Sequence, residues 1–336
     1  MEPRSEVTLA QVRAAAGRIA DLAIRTPVVF SDALSENVGN DVWLKLETHQ
    51  PTGAFKIRGA SNRILRLSEE QRRRGVLAAS TGNHGRAVAY VARELGIDAV
   101  IAVSRLVPDN KLQAIRDLGA ELVIAGEDQE DAMRAVTERA RCGGGTVISP
   151  FDDPDVIAGQ GTIGLEMAEQ IPDLEVVLVP LSGGGLASGI AVAVKALMPQ
   201  ARVIGVSMER GAAMFQSQRA GRVVDVEEVE TLADSLGGGI GADNAYTFTL
   251  VRDLLDDIVL VSEEEIAAAI RELYVRDQIR CEGGAAVGVA ALLGRKVRRP
   301  SGSGAVGVVV SGLNIADEAF REVVGEALTQ SNNACD

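Results

Sequence analysis

Aromatic side chains are scarce: Phe, Trp and Tyr make up 3% of the 336 residues, although 46% of the chain is hydrophobic. A core with few rings must be filled by Ala, Val, Leu and Ile, a mix that suits buried parallel strands covered by alanine-rich helices. Cysteine is nearly absent too. Cys142, Cys281 and Cys335 are odd in number and form no CxxC pair, so neither a disulfide framework nor a zinc site is indicated. Positive charge is in deficit, with a formal net charge of −13 and no basic cluster, which argues against nucleic acid and against an anionic membrane surface. No apolar run approaches the ~20 residues of a membrane span, and Met1-Glu-Pro-Arg-Ser-Glu6 has no apolar signal core. The expectation is a cytoplasmic protein with room for two lobes.

What is present is an alternation of strand, loop and helix. Residues 8–24 have helical periodicity, 26–30 and 41–46 read as strands, and 58–69 as a helix followed by a charged, solvated face at 69–74. From Gly75, strands at 76–80, 99–103, 121–124 and 146–149 alternate with helices at 86–95, 108–118 and 127–141. A second series has a helix at 158–170, a strand at 174–180, a helix at 186–197 and a strand at 203–208. After a variable stretch come helices at 263–276 and 284–296, a strand at 305–310 and a last helix from Ile315. This order predicts an α/β fold of two open, mostly parallel lobes. Residues 1–72 and 150–336 form the larger lobe, and 73–149 form a smaller, mobile one inserted into it.

One lysine has an unusual setting. Lys56 lies between Phe55 and Ile57, with Gly53 and Gly59 nearby. An ammonium among small and apolar neighbours loses hydration, which lowers its pKa and frees its lone pair for attack on an aldehyde. The bland alternative is a lysine whose stem lies along the surface with its head in water. His49 has no identifiable carboxylate partner and reads as structural.

Three further loops lie where open α/β sheets place their ligands, at the carboxyl ends of strands. Ser182-Gly-Gly-Gly-Leu186 opens a helix and forms a cup for a phosphate dianion, or else a tight turn with no ligand. It matches neither G-x-x-x-x-G-K-[ST] nor G-x-G-x-x-G, so a nucleoside triphosphate or dinucleotide is not favoured. Ser80-Thr-Gly-Asn-His-Gly85 offers hydroxyls and amides to a carboxylate, and Asn83 can donate to a ring oxygen. His84 either polarises substrate or is hydrogen-bonded for structure. Ser311, at the tip of a buried strand, can hydrogen-bond a neutral heteroaromatic nitrogen, or simply end the strand.

Together these segments resemble the fold type II (tryptophan synthase β-like) pyridoxal-phosphate enzymes, in the serine/threonine dehydratase and serine racemase group. The resemblance covers essentially the whole chain, with the motifs in matching order. It implies a cofactor held in the cleft between the lobes. Phe55-Lys56-Ile-Arg-Gly-Ala60 matches the motif whose lysine bonds the cofactor and later acts as base. Ser80, Thr81, Gly82 and His84 match the loop that holds the substrate carboxylate, and Asn83 the contact to the phenolic oxygen. Ser182, Gly183, Gly184, Gly185 and Leu186 match the phosphate cup, and Ser311 the residue on the pyridine nitrogen. Thr231-Leu-Ala-Asp234 and Glu282-Gly-Gly-Ala285 are also similar to segments near such sites.

The chain departs from the pattern at several places. Ala54 replaces the usual Ser, and Ser311-Gly-Leu-Asn replaces Ser-Gly-Gly-Asn. Thr81 stands where racemases use a serine as second-face acid/base; its methyl restricts rotation, which favours elimination over racemisation. Glu209-Arg-Gly-Ala-Ala-Met-Phe215 resembles a cation site with Glu209 as ligand, but Phe215 takes the place of a second carboxylate. A divalent ion needs several oxygen ligands, so the segment leaves a divalent or a monovalent cation open. The length leaves no room for the regulatory domain of biosynthetic threonine dehydratases. Ser-Thr-Gly-Asn-His-Gly-Arg86 and Met208-Glu-Arg-Gly-Ala-Ala213 look most like the dehydratases of hydroxyectoine utilisation. The resemblance implies a small amino-acid substrate, a β-elimination releasing ammonia, and a homodimer.

Overall fold

The structure, a computed structural model, describes residues 7–105, 109–300 and 302–333. Among the described residues, ten strands are arranged in two sheets. They are β1 (Val28–Phe30), β2 (Val42–Leu46), β3 (Val76–Ala79), β4 (Ala99–Val103), β5 (Glu121–Ile124), β6 (Thr146–Val147), β7 (Leu174–Pro180), β8 (Arg202–Met208), β9 (Asp257–Val261) and β10 (Ala305–Val310). The larger sheet has the order β1-β2-β10-β7-β8-β9 and the smaller one β5-β4-β3-β6. Every pairing is parallel except β1 with β2.

Helices cover both sheets. The first seven are α1 (Leu9–Arg18), α2 (Asp32–Val38), α3 (Lys56–Leu65), α4 (Glu69–Arg74), α5 (Asn83–Leu95), α6 (Asp109–Arg116) and α7 (Gln129–Arg141). The rest are α8 (Pro154–Gln170), α9 (Gly185–Leu197), α10 (Ala213–Ala220), α11 (Thr247–Leu254), α12 (Glu263–Asp277), α13 (Gly283–Leu293) and α14 (Asp317–Asn333). Strand β10 is buried along its whole length. Val306, Val308 and Val310 pack into the core under α12 and α13, while Ala305 and Val309 pack into the core under α8 and α9. The smaller sheet alternates likewise: Val76, Ala78 and Ile101 face α5, and Leu77, Ala79 and Val100 face Ala132 and Val136 of α7. Apolar residues on both faces are the mark of a parallel sheet between helical layers.

Several expected boundaries move. The periodic segment 8–24 is helical only to Arg18. Past it the chain turns, with the Leu22 and Ala23 N–H groups donating to Ile19 O at 2.9 Å each, and the Gln50 amide then takes both backbone groups of Ile24, at 3.1 and 2.9 Å. The helix expected at 58–69 starts at Lys56 and stops at Leu65. The charged run at 69–74 is α4, begun by the Ser68–Gln71 capping box and ended at Gly75 with φ 85°. The helix expected from 158 begins at Pro154, where Asp153 caps it with proline in the first turn. Strand β6 stops at Val147, although the Ile148 N–H still donates to Leu77 O at 2.8 Å. Helices α2, α10 and α11 and strand β9 were not expected; they are too short for periodicity to be read. Of the helix expected at 108–118, Pro108 lies outside the described residues, as does Cys335.

Candidate active site

The four chemistry-bearing segments leave the carboxyl ends of β2, β3, β7 and β10, and a few hydrogen bonds tie them together. The Phe55 N–H donates to Ser311 O at 3.0 Å, Ala54 forms a bridge to Gly312, and the Leu313 N–H donates to Gly53 O at 2.9 Å. Gly53 has φ 71°, and a Cβ there would lie 3.0 Å from Asn314 Oδ1, so both its backbone angle and its space ask for glycine. This loop delivers Lys56 as the first residue of α3. Its Nζ donates to Pro150 O at 2.8 Å and lies 5.2 Å from the centre of the Phe55 ring. Burial lowers the amine pKa to about 8, against a smaller opposing pull from the Glu282 carboxylate.

From the smaller sheet, Ser80, Thr81 and Gly82 lead into α5. Ser80 and Thr81 are partly buried and Gly82 is exposed, and the Gly82 N–H donates to Ser80 Oγ at 3.3 Å. Asn83 is held on both sides. Its Nδ2 donates to Glu282 Oε1 at 2.8 Å, and its Oδ1 accepts from Asn314 Nδ2 at 2.6 Å. Asn314 in turn accepts from Arg86 at 2.8 Å. His84 is buried, and its Nε2 meets the Ile148 carbonyl at 2.8 Å. A carbonyl only accepts, so Nε2 carries the proton. Burial first, and the Lys56 charge second, depress the His84 pKa to about 3. His84 is thus a neutral ring bound to backbone, the geometry of the structural alternative.

The glycine turn sits beside the same lysine. Gly184 has φ 87° and is the N-cap of α9, which has no side-chain cap, so the first amides of the helix are open to an anion. A Cβ on Gly183 would come within 2.3 Å of the Phe151 ring, and one on Gly185 within 2.8 Å of Phe151 Cα. Phe151 follows Pro150, the residue bonded to Lys56 Nζ, so amine and turn share one short segment. Asp152 anchors that segment by accepting from the Ala245, Tyr246 and Thr247 amides at 2.6, 2.9 and 2.9 Å. Leu186 and Ser311 are buried at the edge of the turn and the tip of β10, and Ser182 is partly buried. A weakly basic amine, an uncapped helix start and a cradle that any Cβ would fill fit pyridoxal phosphate.

Two features had no role in the sequence reading. Glu282 is buried, and burial together with the Asp234 carboxylate pushes its pKa up to about 7. Its segment was singled out, but only the fold brings the carboxyl to Asn83. Beneath α3 lies a buried ion network. Arg58 donates to Glu47 at 2.8 and 2.9 Å and to Glu166 at 2.6 and 2.9 Å, and Lys45 Nζ reaches Glu166 at 2.5 Å. Burial pushes the Glu47 carboxyl up, but Arg58 overcomes it and holds the group below the usual carboxylate range.

The Glu209 carboxylate, the expected cation ligand, has an ammonium partner. Glu209 follows β8, and its Oε1 faces Lys296 Nζ at 3.4 Å. Phe215 supplies a ring where a carboxylate was needed, and no cluster of three or more His, Cys, Asp or Glu suited to a metal occurs among the described residues. The residues present do not fit a metal ion there.

Comparison with known proteins agrees with this geometry. The family model described as "Pyridoxal-phosphate dependent enzyme" matches residues 19–312. The chain is 53% identical to a provisionally named threonine dehydratase of Sinorhizobium fredii, over 96% of this chain and 97% of that one. It is 42% identical to an L-threonine ammonia-lyase of Thermotoga maritima, over 97% of this chain and 80% of that one. Among solved structures, maize serine racemase superposes with a TM-score of 0.89 at 34% identity, covering 98% of this chain and all of that one (100%). The chain belongs to the fold type II pyridoxal-phosphate-dependent enzymes.

Proposed function

We propose that the protein is a lyase that removes water from a β-hydroxy amino acid and releases ammonia and an oxo product. The observation that carries this reading is the Lys56 amine, lowered to about 8, at the junction of the four segments. When bound, pyridoxal phosphate supplies an aldehyde for the substrate amine and a conjugated ring that accepts the electrons left at Cα. Ser182, Gly183, Gly184, Gly185 and Leu186 would hold its phosphate, Phe55 would lie beside its lysine, Asn83 would donate to its phenolic oxygen, and Ser311 would bond its ring nitrogen. Ser80, Thr81 and Gly82 hold the substrate carboxylate, with His84 bracing their loop from below. With the group bound, Lys56 Nζ, freed once the substrate amine takes its place, would take the proton from Cα and pass a proton on to the β-hydroxyl, which would leave as water; a second water would then hydrolyse the remaining enamine to the oxo product and ammonia. Residues 73–149 act as a mobile lobe that closes over the substrate and excludes water, while 1–72 and 150–336 hold the cofactor.

Similarity to the threonine-acting relatives supports a threonine- or serine-like substrate. The sequence around Arg86 and Glu209 supports a hydroxylated diamino acid from hydroxyectoine breakdown. An ammonia-release screen over serine, threonine, 3-hydroxyaspartate and hydroxylated diaminobutyrate decides between them; release from none of the four contradicts the lyase reading. The second reading is a racemase, favoured by the maize neighbour and by a hydroxyl-bearing residue, the partly buried Thr81, in the loop. In deuterated water a racemase returns the mirror-image amino acid carrying deuterium at Cα, whereas a lyase returns only the oxo product. The family resemblance supports a cytoplasmic homodimer, which sedimentation of the purified protein tests.

A further inference from the structure

Lys296 is placed among oxygens that come from three separate parts of the chain. Its Nζ lies 2.6 Å from Glu265 Oε2, 3.0 Å from Leu260 O and 3.4 Å from Glu209 Oε1. Two carboxylates and a backbone carbonyl form the kind of oxygen set that hard cations select. An ammonium has three N–H donors and can serve all three.

Local structure aims each partner. Glu209 follows β8, with its N–H donating to Val261 O at 2.9 Å, and Leu260 lies on β9. Glu265 is the third residue of α12 and already completes the Ser262 capping box, which fixes its carboxylate. Helix α13 ends at Leu293 with Gly294 as its C-cap, and Arg295 takes φ 52°. That left-handed turn, closed by the Lys296 N–H on Ala291 O at 2.9 Å, sends the Lys296 side chain back towards β9.

The opposite side is hostile to a free cation. Phe215 has the Arg219 guanidinium over its ring at 5.7 Å, and Glu209, Phe215 and Arg219 all border the same open depression. A divalent ion arriving from solvent would meet one available carboxylate, a ring and a positive charge.

We propose that Lys296 is a tethered cation, an ammonium built into the chain that neutralises Glu209 and Glu265 and makes the β8–β9–α12 corner independent of any metal ion. This holds whichever substrate the cleft takes.

Thermal unfolding of the holoenzyme tests it, with Mg²⁺, Ca²⁺ or K⁺ added at constant ionic strength, and with EDTA. The wild-type midpoint and ammonia-release rate should be the same in all conditions. Lys296→Met keeps the side-chain stem but removes the charge. It should lower the midpoint by about 3 °C, and Ca²⁺ or Mg²⁺ should restore most of that loss because the ammonium no longer occupies the three oxygens. A wild-type midpoint or rate that rises with a cation or falls with EDTA would overturn the proposal, as would a Lys296→Met midpoint equal to wild type. If Lys296→Met does not fold, Glu209→Gln in the same assay serves: a lowered midpoint that cations leave unchanged supports the tethered cation, and a wild-type midpoint refutes it.

Discussion

Lys56 is an amine drawn partly out of water at the first residue of a helix, and its chemistry follows from that position. With its pKa near 8 instead of the ordinary lysine value, about two orders of magnitude more of it is neutral at neutral pH. Cofactor capture by the cofactor-free protein should therefore speed up as pH rises, with a midpoint near 8, and level off above it. A rate still climbing tenfold per pH unit at pH 10 would mean an ordinary surface lysine. Glu282 is the complementary case. Its folded pKa is raised to about 7 from 4.5, so its stabilising contribution is complete below about 4.5 and is lost as pH rises through 7. Glu282→Gln should gain on wild type between pH 5 and pH 8, by roughly 3 kcal/mol at most. Urea unfolding of the cofactor-free proteins at the two pH values reads the difference. A gap that stays constant with pH would show that Glu282 does not titrate in this range.

Helix α3 carries Lys56, and its own placement depends on two kinds of contact. One is the ion network: Arg58 leaves α3 to hold Glu47 and Glu166. Arg58→Met would leave Glu47 buried with a lost partner, at a cost of about 3–5 kcal/mol in denaturant unfolding. Because Glu47 is held below its ordinary 4.5, its contribution is present above that pH and fades on acidification. The other contact is close approach of backbones. A Cβ on Gly159 of α8 would lie 2.6 Å from Arg58 O and 2.7 Å from Gly59 Cα, so Gly159→Ala should destabilise by about 1–3 kcal/mol. Gly17 in α1 has nothing within 4 Å of its would-be Cβ, and Gly17→Ala should stabilise by up to about 1 kcal/mol. Equal effects at the two glycines would remove the packing argument.

Across the whole molecule, the parallel core and the loops at its strand ends were readable because each has a local signature. Strands such as β7 and β10 are short runs dominated by Val and Leu, and the Gly183–Gly185 turn opens directly into a helix. What was not readable depends on the fold. Glu282 and Asn83 are 199 positions apart, and Arg58 meets Glu166 across 108, so no spacing rule could pair them. Asp152 gave no sign that it caps a helix beginning near residue 247, because a cap is read only from adjacent sequence. His84 shows the limit within one loop: its residue type allowed catalysis, and only burial against Ile148 revealed a neutral, backbone-bound ring. The lysine motif itself was legible; its junction with the glycine turn through Pro150 and Phe151 was not.

Reduction of the holoenzyme with borohydride fixes the cofactor to the amine that holds it, and peptide mass mapping then locates the pyridoxyl group. The label is expected on Lys56 alone, and is expected to be absent from Lys56→Ala together with the visible absorbance. A label on Lys45, Lys195 or any other lysine, with Lys56 unmodified, would contradict that expectation.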